Sequence, residues 1–262
     1  LFFSVITMFF YIGCDEKDPF HEGNYHKPVK KYSGDLAVKW MRLQMSITRV
    51  TPGFNSTRAF GYSGLSLYES LVEGMPGYKS VASSMIGVNV PPHKTSTIFF
   101  PASANAAMAF IIKSLIPMAS AVSMAKIDSL EAAFNSEFST EAPADVLSKS
   151  AEYGRKVATI IFDWSKTDGA AEAAAKNASY PVPTGFGLWK PTPPGNVSPP
   201  VNAYAGEVRT YVKNSTTLTL PPAPIPYSET AASPFYHQAH EVYTLSQSLT
   251  PYDILTVKTW GE

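Results

Sequence analysis

Cysteine is nearly absent from this chain: one residue, Cys14, in 262. A single thiol closes no disulfide within the chain and cannot supply the cysteine pairs of a structural zinc site. An excess of charge is missing too. The 21 Lys and Arg balance 21 Asp and Glu, giving a formal net charge of zero. That excludes a general nucleic-acid binder, which relies on a basic excess. There is no phosphate-binding loop and no 34-residue repeat. Alternating strand patterns are scarce, so the expected fold class is all-α, a helical bundle. What is plentiful is apolar side chain, 45% of the residues, and proline. Of the 22 prolines, 11 fall between Pro181 and Pro226.

Cys14 closes a short apolar run, Leu1-Phe2-Phe3-Ser4-Val5-Ile6-Thr7-Met8-Phe9-Phe10-Tyr11-Ile12-Gly13. The run falls short of the roughly 20 residues that span a bilayer, but its length suits the apolar region of a secretory signal. A small residue and then a cysteine is the pattern of a bacterial lipoprotein signal, in which the thiol receives a diacylglycerol. Tyr11 departs from the usual aliphatic residue of that pattern, and a buried free cysteine on an apolar helix is the competing reading. The chain opens at Leu1 without Met or basic residues, so a missing start is expected. Asp15-Glu16-Lys17-Asp18 resembles the export signal of surface-exposed lipoproteins; the same residues would also make a solvated tether. The expected layout is a signal over 1–13, a tether over 14–33 and a helical domain over 34–262. The expected location is the bacterial cell envelope, lipid-anchored at the outer membrane.

Helical spacing recurs along the rest. Asp35 opens a helix through Trp40, Leu43, Ile47 and Val50, broken at Thr51-Pro52-Gly53. Asn55 or Ser56 caps a second, with Ala59, Tyr62, Leu65, Tyr68 and Val72 on one face. Gly61 and Gly64 in it imply a neighbouring helix packed close. Ser103 to Leu115 is apolar nearly all round and should be buried. Residues 122–138 carry Met124, Ile127, Leu130, Ala133 and Phe134 on one side. The longest helix runs from about Ala144 to Lys166, with a seam of Val146, Tyr153, Val157, Ile160 and Trp164 and a close crossing at Gly154. Residues 177–227 read as a long proline-rich wrapping segment pinned by Trp189 and Tyr204. Helices return at 233–247, with Phe235, Ala239, Val242 and Leu245, and after Thr250-Pro251-Tyr252-Asp253, with Ile254, Leu255, Val257 and Trp260. No capping chemistry follows Trp260, so continuation past Glu262 is expected.

The motifs that carry chemistry are weak. His21-Glu22 and His26 resemble a zinc-protease pair with one residue too many. Such a spacing places the rings about 140° apart on a helix. His237 and His240, with Glu241, have metal-compatible spacing but no third ligand on a neighbouring predicted helix. Gly61-Tyr62-Ser63-Gly64 is not a nucleophile elbow, and Gly185-Phe186-Gly187 lacks the context of a dinucleotide loop. Glu69 and Glu73, one turn apart, could join Arg58 in an acid/base group or in interhelical ion pairs. These residues specify no reaction and no metal or cofactor site.

Several segments taken together carry a resemblance. They are Arg58-Ala59-Phe60-Gly61-Tyr62-Ser63 with Leu67-Tyr68-Glu69, and Pro101-Ala102-Ser103-Ala104-Asn105-Ala106-Ala107. Gly154-Arg155-Lys156-Val157-Ala158, Trp164 and Asp168-Gly169 follow. The last are Gly187-Leu188-Trp189-Lys190-Pro191-Thr192-Pro193-Pro194, then Glu241-Val242-Tyr243, Leu249-Thr250 and Trp260. Over residues 36–262 the chain resembles the N-terminal half of bacterial proteins related to vanadium-dependent haloperoxidases, which belong with the type 2 phosphatidic acid phosphatases. The resemblance implies a helical bundle whose vanadate or phosphate site is built from a Lys-to-Arg-Pro segment, a Pro-Ser-Gly-His segment and an Arg segment ending in a histidine. This chain has none of the three; in the family they lie beyond the position of Trp260. The expectation is therefore an anchored N-terminal part whose partner is its own C-terminal catalytic half, with vanadate a cofactor of the intact protein only. The alternative is a surface glycan-binding lipoprotein, with Trp189, Tyr204 and Tyr211 stacking on sugars. No 34-residue helical repeat supports that alternative.

Overall fold

The computed structural model describes residues 25–51, 56–93, 97–193 and 195–260. Cys14, the acidic cluster behind it, and His21 and Glu22 lie outside the described residues. The regular structure is helical, with no strand among the described residues, as the periodicity predicts. The chain divides into two compact units, parted between Asp168 and Gly169.

The first unit is built around an apolar helix. Helix α1 is Asp35–Arg49, α2 is Ser56–Glu69, α3 is Phe100–Leu115, α4 is Ala121–Phe138 and α5 is Ala144–Ser165. Helix α3 packs on α5, α2, α4 and α1. It can occupy the centre because Ala102, Ala104, Ala106, Ala107, Met108, Ile111 and Ile112 leave hardly any polar face. It starts three residues earlier than the sequence suggests, with Pro101 in its first turn. The Phe99 N–H ahead of it donates to Ser150 Oγ on α5 at 2.9 Å.

Gly154 explains how α3 and α5 come so close. A Cβ there would stand 1.9 Å from the Ser103 carbonyl oxygen. Gly64, by contrast, has nothing within 4 Å of that position, so the close crossing expected of α2 is not at Gly64. Buried positions on α5 are Val146, Ser150, Tyr153, Val157, Ile161 and Trp164. Ile161, not Ile160, is fully covered.

Helix α1 buries Trp40, Gln44 and Ile47, while Val50 lies beyond its end and is exposed. Two of these contacts are polar. The Trp40 indole N–H donates to Asn105 Oδ1 at 2.9 Å, and Ser63 Oγ donates to Gln44 Oε1 at 2.8 Å. Asn105 passes the network on, donating to the Glu131 carbonyl and Asn135 Oδ1 on α4, both at 3.0 Å. Buried polar groups must be paired in this way or they cost stability.

The second unit opens at Gly169, whose φ of +83° suits only glycine without strain. Helix α6, Ala170–Asn177, follows directly, where the sequence pattern predicts no helix. Residues 178–233 contain only short turns, at Ala205–Glu207 and Ser215–Leu218, among the described residues. Tyr204 does pin this segment: its ring meets Tyr180 edge-on at 5.5 Å, and the Lys176 ammonium lies over it. Asn177 clamps it further, donating to the Pro200 carbonyl and accepting from the Ala203 N–H. Trp189 does not pin it; the indole is 40% exposed.

Helices α7, Pro234–Ser246, and α8, Pro251–Trp260, both start with side-chain caps, the one on α8 as expected. Ser233 accepts from the Tyr236 N–H, and Thr250 and Asp253 cap each other reciprocally. Neither helix buries a residue. Among the described residues of the second unit, Ala173 is the one buried apolar side chain.

Candidate functional site

The residues singled out as an acid/base group do not come together. Arg58 turns away from Glu69 and Glu73. Its Nε donates to Asp168 Oδ2 at 2.6 Å and its Nη2 to the Ser165 carbonyl at 2.5 Å. The Tyr62 hydroxyl, one turn along α2, donates to the same Asp168 oxygen at 2.8 Å. Trp164 packs edge-on against Tyr62 at 5.5 Å, and the guanidinium lies over the Tyr62 face. Thus Arg58, Tyr62, Trp164 and Asp168, drawn from separate segments, form one knot, buried except at the half-buried Arg58. It ties α2 to the end of α5, and its cation is neutralised by a carboxylate that is itself 3% exposed.

Glu69 and Glu73 do share a cleft, of about 120 Å³, lined also by Val72, Tyr78, Ser80, Val90 and Tyr153. Both carboxylates are engaged there. Glu69 Oε1 accepts from the Val81 N–H at 2.9 Å. Glu73 accepts from the His93 N–H at 3.2 Å and pairs with His93 Nε2 at 2.8 Å. The Tyr153 hydroxyl leans on Glu73 at 3.4 Å. Burial, and then the Glu73 charge, push the Tyr153 phenol above its ordinary range. Two more bonds fasten the same segment: Tyr68 Oη to the Lys79 carbonyl, and Trp164 Nε1 to the Ile86 carbonyl. Chemically this is a set of anchors holding residues 78–93 against α2 and α5. Glu69 Oε1 and both Glu73 oxygens are thus engaged by the protein's own N–H groups. His93 was not foreseen as a partner, because nothing in the sequence links it to Glu73 across 20 residues.

The histidines on α7 are exposed. His240 stacks on Tyr236 at 5.6 Å, and His237 meets the same ring edge-on. His26 faces the Ile98 carbonyl at 3.4 Å. No group of three or more His, Cys, Asp or Glu able to hold a metal exists among the described residues.

An oxyanion such as vanadate needs several converging cationic or N–H donors. The paired cations here are dispersed. Arg58 is taken by Asp168, Arg155 by Glu131, Lys113 by Asp128 and Lys176 by Glu207. These four cations therefore do not build a site for that group.

No family model matches the chain, and no curated protein matches it. A solved structure does: the crystal structure of a bacterial vanadium-dependent iodoperoxidase, with a TM-score of 0.65 and 24% identity. The match covers 82% of this chain and 50% of the other, so the chain spans about half the length of the structure it resembles. At this identity the likeness shows the fold: this chain has a haloperoxidase-like helical fold.

Proposed function

We propose that this chain is the N-terminal helical part of a membrane-anchored protein of the vanadium-dependent haloperoxidase and acid phosphatase type. Its catalytic motifs are expected in a further part of the same polypeptide. The carrying observation is a fold likeness confined to half of an iodoperoxidase, in a chain whose own cations do not converge. The second unit adds support. Val242, Tyr243, Leu245, Leu255, Val257 and Trp260 of α7 and α8 are 58–83% exposed. Burial of such side chains contributes about 1.5–3 kcal/mol each, which favours a partner surface that covers them. The C-terminal half of the same protein is that partner. Vanadate, when held by that half, would supply peroxide-dependent halide oxidation; phosphate-ester hydrolysis is the related activity of the fold. The residues described here would serve as the rigid wall that the catalytic half packs against.

The anchor is the second element of the proposal. Cys14 carries a diacylglycerol and residues 1–13 are removed. Among the described residues no helix is long and apolar enough to cross a membrane, and attachment through Cys14 requires none. Mass spectrometry of the mature N-terminus tests this; an unmodified Cys14 with residues 1–13 retained refutes it. For the activity, the test is halide oxidation by the intact polypeptide with peroxide, with and without vanadate. Turnover that needs vanadate supports the assignment, and inactivity of the loaded protein with halides and phosphate esters alike contradicts it.

A further inference from the structure

Trp189 stands exposed in the proline-rich segment of the second unit. Trp189, Thr192, Gly195, Asn196, Val197, Pro200 and Val201 line an open cleft of about 330 Å³. That is near the lower bound of small-ligand pockets, about 300 Å³. The cleft is shaped by local bonds. The Asn196 N–H donates to the Thr192 carbonyl at 3.0 Å, and Asn196 takes a left-handed φ of 44°. Asn177 fixes the Pro200 wall from α6.

Its chemistry is mixed and uncharged. The indole offers a large apolar face, and Val197, Pro200 and Val201 add apolar floor. The Trp189 indole N–H, the Thr192 hydroxyl and the Asn196 side-chain amide have no protein partner among the described residues. Together they provide donors and acceptors beside an aromatic plane. No charged side chain lines the cleft, which disfavours phosphate, carboxylate or ammonium ligands. A pyranose ring matches this set. One face is a row of C–H groups that packs on an aromatic, and its hydroxyls need both donors and acceptors at the edge. Tyr204 and Tyr211, the other aromatics that the sequence offers for stacking, are only half exposed, and the Tyr204 ring already packs against Tyr180.

We propose that the Trp189–Asn196 cleft is a binding subsite for a neutral pyranose unit. Trp189 is the stacking platform, and Asn196 and Thr192 are the hydroxyl-reading groups. The subsite is independent of the oxidative or hydrolytic activity proposed above.

The test is titration of the 262-residue chain with a panel of neutral mono- and oligosaccharides, read by saturation-transfer NMR and by tryptophan fluorescence. At least one pyranose is expected to bind. Trp189→Ala should weaken it by at least about tenfold, the cost of losing a central aromatic anchor. Asn196→Ala should weaken it about fivefold, the cost of about one hydrogen bond. Trp260→Ala should leave it unchanged, and Trp189→Phe should retain most of the stacking and hence measurable binding. Circular dichroism of each variant should match the parent, because the cleft is exposed. No binding anywhere in the panel overturns the proposal. So does binding that survives Trp189→Ala, or capture of apolar peptides in place of saccharides.

Discussion

Asp168 is the residue on which the first unit closes. It is nearly buried, and it accepts from both Arg58 and Tyr62 on another helix. Removing one partner of such a pair leaves an uncompensated charge. Arg58→Ala should therefore lower unfolding stability by about 3 kcal/mol in urea titration. Arg58→Ala/Asp168→Ala together should lose less than the sum of the two single losses. Asn105 plays the same part for neutral groups. Asn105→Ala strands the Trp40 indole N–H and removes the amide donor from Asn135 Oδ1 and the Glu131 carbonyl, at a cost of about 2–4 kcal/mol.

Tyr32 gives the first unit a pH limit. Burial raises its phenol to about 12 from 10.0, and its hydroxyl donates to the Tyr25 carbonyl. The fold favours the neutral phenol, so this contribution is complete below pH 10 and is lost as pH rises toward 12. Tyr32→Phe should flatten that alkaline fall in thermal-melt midpoints while leaving the neutral region's slope unchanged. Tyr153, raised in the same direction, extends the fall to higher pH.

Elements were legible where one face is apolar at regular spacing. Ala59, Tyr62 and Leu65 on α2, and Ile127 and Phe134 on α4, lie buried as their period implies. Periodicity failed where the buried residue is polar. Gln44 takes a core position on α1 because Ser63 reaches it from α2, a partner that no local pattern reveals. The Arg58–Asp168 bond spans 110 residues and was equally hidden, although both residues belong to segments that carried the resemblance. Helix α6 was missed because its Ala-Glu-Lys stretch follows Gly169 and has only a thin apolar face. Gly64 on α2 and Gly154 on α5 look alike in sequence, yet Gly154 faces another backbone and Gly64 faces open space. Gly154→Ala tests that difference. Helix propensity alone would favour alanine by about 1 kcal/mol. The clash with Ser103 should outweigh it and give a net loss of about 1–3 kcal/mol in urea titration. Gly64→Ala should be neutral or stabilising.

At the scale of the molecule, the two units differ in kind. The first has a packed apolar core around α3; the second has hardly any buried apolar surface of its own. A unit so poor in core offsets little of its conformational entropy. Limited proteolysis of this chain should therefore cut within 178–260 before it cuts α3 or α5. Val242→Ser and Leu255→Ser should shift this chain's stability by less than about 0.5 kcal/mol, as exposed substitutions do. In the intact polypeptide the same changes should destabilise if the proposed C-terminal half covers those faces.

The central proposal is that this chain is one half of a haloperoxidase-like protein. The most direct measurement is the nucleotide sequence of the reading frame beyond Glu262. The prediction is a continuation that supplies, within about 200 residues, a typical domain length, the Lys-to-Arg-Pro, Pro-Ser-Gly-His and Arg-to-His segments. A frame that closes soon after Glu262, or one that continues without those three segments, contradicts it.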